Sequence, residues 1–381
     1  MQRSYSYLER SGEEHIYYNV SIPYDFTSTN YLTPATFVEN RTQPIIDNPN
    51  DYYLSIIRFY IPSFMLPVTS LPILPFPNTN VNKTSLSIIF SYNGIYSDEQ
   101  SLIYFTEDDT TTAPPSATAT NPTYPTNNPY YFIYNYQHYL NIINNGFLAA
   151  LTNLQTKPGT GAISAATSPF ITYDAVTQLL TLHASSTFYD QANLSLPIIL
   201  YFNVPTYDFL TGFPYLNTTL NLFNPTVPGG TRNTLQLLLQ DDGVNTVGGV
   251  INLTEEYITV GSINLFKSII ITSNSIPIQS ELLPASNGSG INIGKPIATD
   301  FEPLINDSAG QARSVFQYYP QGPYRLINLN SASPLYKVDI NVFWQDIYGN
   351  VYPFYVAYDS IITIKLLFVR KTVYNSGINK K

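Results

Sequence analysis

Residues 334–370 constrain the fold more than any other stretch. Val338, Ile340, Val342 and Trp344 occupy alternate positions, with Asp339, Asn341 and Gln345 between them. A period of two predicts a β-strand with one buried and one mostly polar face. Asp346, Gly349 and Asn350 then supply a turn, because Gly and Asn accept the positive φ that short hairpin loops need. After a return through residues 351–356, Ile362, Ile364, Leu366 and Phe368 alternate with a second set that includes Thr363 and Lys365. Two long amphipathic strands are therefore expected to close the chain. Final strands of this kind seal a sandwich or jelly roll, which otherwise exposes a row of unpaired N–H and C=O groups.

At 381 residues the chain has room for one large all-β unit with insertions, or for two modest domains. Charged residues make up only 11%, while aromatics reach 14% with 33 tyrosines, so much of the surface must be buried or paired. Tyrosine-rich, charge-poor surfaces suit protein contacts, which favours an assembled protein. The net charge of −9 argues against a nucleic-acid-binding surface over the whole chain. Arg370, Lys371, Lys380 and Lys381 form a small basic tail that can touch nucleic acid, although a solvated terminus is the plainer reading. The absence of cysteine removes disulfides, thiolate metal sites and cysteine nucleophiles together. Residues 1–14 lack an apolar core and read as no secretory signal, so the Asn-Xaa-Ser/Thr triplets at Asn40, Asn82, Asn193, Asn217 and Asn252 reflect composition. No membrane span is expected, since the longest apolar runs, 194–204 and 361–369, are too short or interrupted. The expectation is a soluble protein made in the cytosol.

Residues 1–40 are polar and Tyr-rich and read as an N-terminal arm lying against a neighbour. Residues 51–62 predict a first strong strand, apolar on both faces and hence central, with Pro49 and Pro62 at its ends. Leu86, Ile88, Phe90 and Tyr92 alternate with Ser87 and Ser91 as a half-buried strand. Residues 108–129 hold Thr, Ala, Pro and Asn with almost no aliphatic content, which marks a loop or boundary. Tyr139, Leu140, Ile143, Phe147, Leu151 and Leu154 recur at helical spacing, predicting a helix over 131–155. Residues 170–173 and 179–183 flank Asp174 and Thr177 as a hairpin. Further strands are expected at 196–203, 235–239, 256–260 and 266–272. The expected organisation is an arm at 1–40, a jelly-roll domain from 41–107 and 251–371, an insertion at 108–250, and a basic tail at 372–381.

Several stretches resemble one family in order. Asn48-Pro49-Asn50-Asp51-Tyr52-Tyr53-Leu54-Ser55-Ile56-Ile57-Arg58-Phe59, followed by Ile61-Pro62, is similar to the opening strand of penton (minor capsid) proteins from virophages and Polinton-like viruses. Asn135-Tyr136-Gln137-His138-Tyr139-Leu140 with Asn144 resembles the helix of that family's insertion. Ile270-Ile271-Thr272-Ser273-Asn274 through Pro277 and Glu281 resembles a later strand and turn. Asp300-Phe301-Glu302-Pro303, Tyr319-Pro320 and Tyr324-Arg325-Leu326-Ile327 extend the likeness. Trp344-Gln345-Asp346 with Gly349-Asn350, and Ile364-Lys365-Leu366-Leu367-Phe368 with Arg370-Lys371, complete it. The resemblance implies an all-β fold: a single jelly-roll β-sandwich with an inserted, mainly β subdomain carrying one helix. It also implies a homopentamer that plugs each five-fold vertex of an icosahedral capsid, beside trimers of a double jelly-roll major capsid protein, while the basic residues of the tail are expected to make a weak contact with packaged DNA.

Chemistry needs groups that converge on a pocket, and the candidates are thin. His15, His138 and His183 are scattered, which argues against a metal cluster or a His-based triad. Asp108-Asp109, Asp241-Asp242 and Glu255-Glu256 lack Ca²⁺-loop spacing and read as solvated loop acids. Pro228-Gly229-Gly230 and Gly248-Gly249 lack the lysine and the strand-to-helix context of phosphate loops. Trp344 shares the phase of Val338, Ile340 and Val342 and is expected in the core. No catalytic, metal or cofactor residue is assigned, and the expected role is a structural protein of the virion rather than an enzyme. The alternative is a carbohydrate- or receptor-binding β-sandwich of a virion surface, with a glycoside hydrolase third.

Overall fold

The computed structural model describes residues 5–11, 14–26, 33–63, 66–72, 83–97, 101–104, 130–133, 136–217, 233–259, 266–278, 281–282, 296–301, 315–318, 325–356 and 358–372. The chain forms two compact units, Met1–Leu66 with Phe266–Lys381, and Pro67–Leu265.

The first unit is a two-sheet sandwich. One sheet runs Tyr5–Ser11, His15–Pro23, Ile361–Arg370, Tyr52–Pro62, Val315–Tyr318. The other runs Glu281–Leu282, Pro296–Phe301, Phe266–Thr272, Lys337–Asp346, with Val351–Pro353 and Thr36–Asn40 sharing the last strand's free side. Counted along the chain from His15, the eight principal strands pair first with eighth, second with seventh, third with sixth and fourth with fifth. That nested pairing is the jelly roll. Rings meet across the two sheets: Phe59 contacts Phe301 with centroids 4.7 Å apart, and Tyr18 faces Phe37 at 6.4 Å. Val338, Ile340, Val342 and Trp344 are buried, as are Ile362, Ile364, Leu366 and Phe368. Each such side chain contributes on the order of 2 kcal/mol by leaving water.

Two expectations for this unit change. Residues 1–40 are not an arm, because His15–Pro23 pairs with the final strand over nine residues and buries Ile16, Tyr18, Val20 and Ile22. The strand Lys337–Asp346 is buried on both faces, since Asp339 and Asn341 are covered as well. Asp339 can be buried because Ser273, Asn274 and Ser275 all donate to it. The strand Tyr52–Pro62 is interior and buried in stretches on both faces, lying between the final strand and Val315–Tyr318.

The second unit begins well before residue 108. Lys83–Tyr92, expected within the jelly roll, instead pairs with Ile199–Asn203 in a sheet ordered Tyr215–Asn217, Asn233–Leu237, Ile199–Asn203, Lys83–Tyr92, Ile95–Tyr96. Ser87 and Ser91 are buried there, so the polar positions of this strand that were expected to face solvent are covered. A four-stranded sheet holds Phe170–Tyr173, Leu180–Ser185, Val250–Thr254 and Thr246–Val247. The helix Tyr136–Gln155 packs in the core, with Phe147 between Phe90 and Phe202 and its apolar positions buried. It starts later than expected because Tyr130–Ile133 is a strand paired with Thr69–Pro72. No strand forms over 256–259, since Glu256 N–H turns to the Gly212 carbonyl and leaves the ladder that Val250–Thr254 makes with Leu180–Ser185. The low-complexity stretch 108–129 and most of the basic tail lie outside the described residues.

Candidate functional site

The residues with chemical potential are held apart. His15 stands in register with Val369 in the first unit, while His138 is buried on the helix of the second. His183 is spent locally: its ring nitrogens lie 2.8 Å from Thr172 Oγ1 and 2.8 Å from Asn252 Oδ1, and Phe170 stacks on it at 4.7 Å. Among the described residues no three His, Asp or Glu side chains gather as a metal site. No helix among them is long and apolar enough to cross a membrane.

The acidic pairs serve turns. Asp241 accepts from Gly243 N–H, and Asp242 from Val244 and Asn245 N–H, which holds the Asp242 carboxyl below its usual value. Asp190, missed by spacing rules, is buried. Burial acts to raise its carboxyl, but hydrogen bonds from Asn193, Asp241 and Ala192 outweigh that and lower it. Asp108-Asp109 and Gly229-Gly230 lie outside the described residues, and Gly248-Gly249, at φ +59° and +79°, form a turn between Thr246–Val247 and Val250–Thr254.

Among the described residues, Glu255 is the buried acid with a raised carboxyl. Burial lifts it, opposed by hydrogen bonds from Thr259 and from Leu180 N–H. Tyr139 and Tyr215 lie nearby, and both hydroxyls are pushed up chiefly by burial. Glu255 ties the start of Leu180–Ser185 to the loop ending at Thr259, which is a structural task. Among the described residues, the groups acting on this carboxylate are Thr259, Leu180 N–H and the nearby phenols, not a second carboxylate of the kind that glycoside hydrolysis pairs with it.

The exposed features are aromatic. Tyr24, Phe26 and Tyr358 form a mutual edge-to-face triad with centroids 5.2–5.5 Å apart, and Phe26 and Tyr358 are 49% and 74% exposed. Tyr348, 65% exposed, sits on the turn that Asp346 holds by accepting Tyr348 and Asn350 N–H. Large exposed rings are what contact surfaces are built from. Sequence spacing missed the triad because Tyr358 lies far along the chain from Tyr24 and Phe26.

A jelly roll interrupted by a second compact unit, poor in charge and bearing exposed aromatic loops, defines a capsid-type building block. The chain belongs to the Sputnik minor capsid protein V18/19 family, whose profile matches residues 16–370, and it is a structural component of a virion. It is 36% identical over 167 residues to the uncharacterized protein V18 of Sputnik virophage, covering 42% of this chain and 97% of that protein. It is 29% identical over 220 residues to the structural protein V19 of the same virophage, covering 55% of this chain and 97% of V19. A chain of the Sputnik virophage structure solved by cryo-EM superposes with a TM-score of 0.75 at 31% identity, covering 95% of this chain and 99% of that one. The mavirus penton protein shares the fold, with a TM-score of 0.59 at 15% identity over 94% of this chain and all of its own.

Proposed function

We propose that five copies of this chain form the penton that closes each five-fold vertex of an icosahedral capsid. The observation that carries this reading is membership of a minor capsid family together with a jelly roll shared, nearly end to end, with a penton protein. A single jelly roll is a compact wedge, and identical wedges joined by heterologous contacts close into a ring when the rotation per copy divides the circle. The role is geometric, without substrate turnover. Trimers of a double jelly-roll major capsid protein flank the ring, the subunit is made in the host cytoplasm before entering the virion, and the basic tail reaches packaged DNA. The second unit, residues 67–265, is read as an insertion between the third and fourth principal strands of the capsid domain.

The test is the mass and symmetry of the purified full-length chain. Sedimentation at five times the 42.8 kDa chain mass, with five-fold rings in electron micrographs, is the expected result. A monomer that stays monomeric at high concentration and enters no capsid contradicts it.

A further inference from the structure

We propose that the outward face of the sheet built from His15–Pro23, Ile361–Arg370 and Tyr52–Pro62 grips a nucleic-acid phosphate backbone through Arg58, Lys365 and Lys371. This deepens the packaged-DNA contact proposed above, moving it from the terminal tail to the folded sheet. Lys365 and Arg58 are register partners on neighbouring strands, so they share a face. The opposite face of the same strands carries Ile364, Leu366 and Phe368 into the core. Lys371 follows in the turn after Arg370 and reaches the ring of Tyr53, the register partner of Val369, which stands on the Lys365 face of the strand. The two lysines lie over tyrosine rings, Lys365 Nζ 4.5 Å from the Tyr17 centroid and Lys371 Nζ 5.2 Å from that of Tyr53. The rings hold the ammonium groups in place without neutralising them.

Two arginines elsewhere among the described residues are paired with acids. Arg41 is held by Glu39 at 3.2 Å and Arg325 by Asp300 at 2.7 Å. Among the described residues, Arg58, Lys365 and Lys371 have no carboxylate partner. One acid, Glu9, stands in register with Tyr17 on the edge strand. In a chain of net charge −9, three cations without a carboxylate partner among the described residues, on one sheet face, call for an anion with regularly repeated charge. A phosphodiester backbone, with a charge about every 3.4 Å of helix axis per strand, supplies it.

The test is fluorescence anisotropy of the full-length chain with a labelled 20-base-pair duplex from 50 to 200 mM salt. Wild type is expected to bind with a log–log salt slope of roughly −3, about 0.9 per phosphate contact. Arg58→Gln/Lys365→Gln/Lys371→Gln should lose at least tenfold in affinity, and Lys365→Glu alone should weaken binding measurably. The charge-matched control Lys157→Gln/Lys267→Gln/Lys337→Gln should stay within twofold, and a chain ending at Thr372 should keep most of its affinity. Absence of binding, equal loss in the control, or equal affinity for poly-glutamate overturns the proposal. Loss of binding only on removing residues 373–381 also overturns it, and returns the DNA contact to the tail.

Discussion

The side-chain amide of Asn144 grips the backbone of Ile171 at both ends, accepting its N–H at 2.7 Å and donating to its carbonyl at 3.1 Å. Ile171 lies in Phe170–Tyr173, the edge strand of the four-stranded sheet, whose outer N–H and C=O groups have no strand beside them. A helix amide thus stands in for a neighbouring strand and blunts an edge open to foreign pairing. Asn144→Leu keeps the branched heavy-atom shape but removes both bonds. It should cost about 1–3 kcal/mol in urea unfolding and raise light scattering on concentration. Unchanged stability would show that the amide is incidental.

Asp339 organises the turn after Phe266–Thr272. Burial acts to raise its carboxyl, yet hydrogen bonds from Ser275, Ser273 and Asn274 hold it below the ordinary aspartate value. A carboxyl lowered in the fold contributes stability above its unfolded value, near pH 3.9, and that contribution is lost as pH falls through the folded value. Asp339→Asn should destabilise by about 2 kcal/mol at neutral pH and flatten the acid limb of a stability–pH curve. An acid limb unchanged in the variant contradicts this assignment.

Gly212 has no room for a side chain. A Cβ there meets the Tyr257 carbonyl at 2.8 Å and the Glu255 Cβ at 2.9 Å. Both obstacles belong to the segment pinned by the bond from Glu256 N–H to the Gly212 carbonyl. Gly212→Ala should therefore cost about 1–3 kcal/mol, with the loss visible in hydrogen exchange around residues 180 and 251. Equal protection in both proteins would show that the loop yields freely.

The first strands are structural rather than accessory. Residues 15–23 cover a full edge of the final strand, so deleting residues 1–23 exposes that edge and uncovers Ile364 and Phe368. The truncated chain is expected to be insoluble or to lose cooperative melting. A soluble, cooperatively folding truncation would restore the reading of this segment as a dispensable arm.

The last two principal strands were legible because period-two alternation of Val338 to Trp344 and of Ile362 to Phe368 has few other interpretations. The helix was legible from the 3.6-residue recurrence of Tyr139 to Leu154. What stayed hidden depends on partners remote in sequence. Ile16, Tyr18, Val20 and Ile22 alternate just as clearly, but the Ser, Asn and Tyr around them masked a strand whose partner lies near residue 365. Asp339 reads as a solvent residue until Ser273 and Ser275 fold beside it. Leu86 to Tyr92 gave a correct strand in the wrong unit, since no local pattern tells that its neighbour is Ile199–Asn203. The meeting of Tyr358 with Tyr24 and Phe26 left no local trace, because Tyr358 is remote in sequence.

The central claim, a subunit whose work is to close a ring, is tested most directly by counting copies in the purified assembly by native mass spectrometry. The account predicts a dominant species of five chains that persists on dilution into the micromolar range. A monomer, or a ladder of sizes with no preference for five, would contradict it.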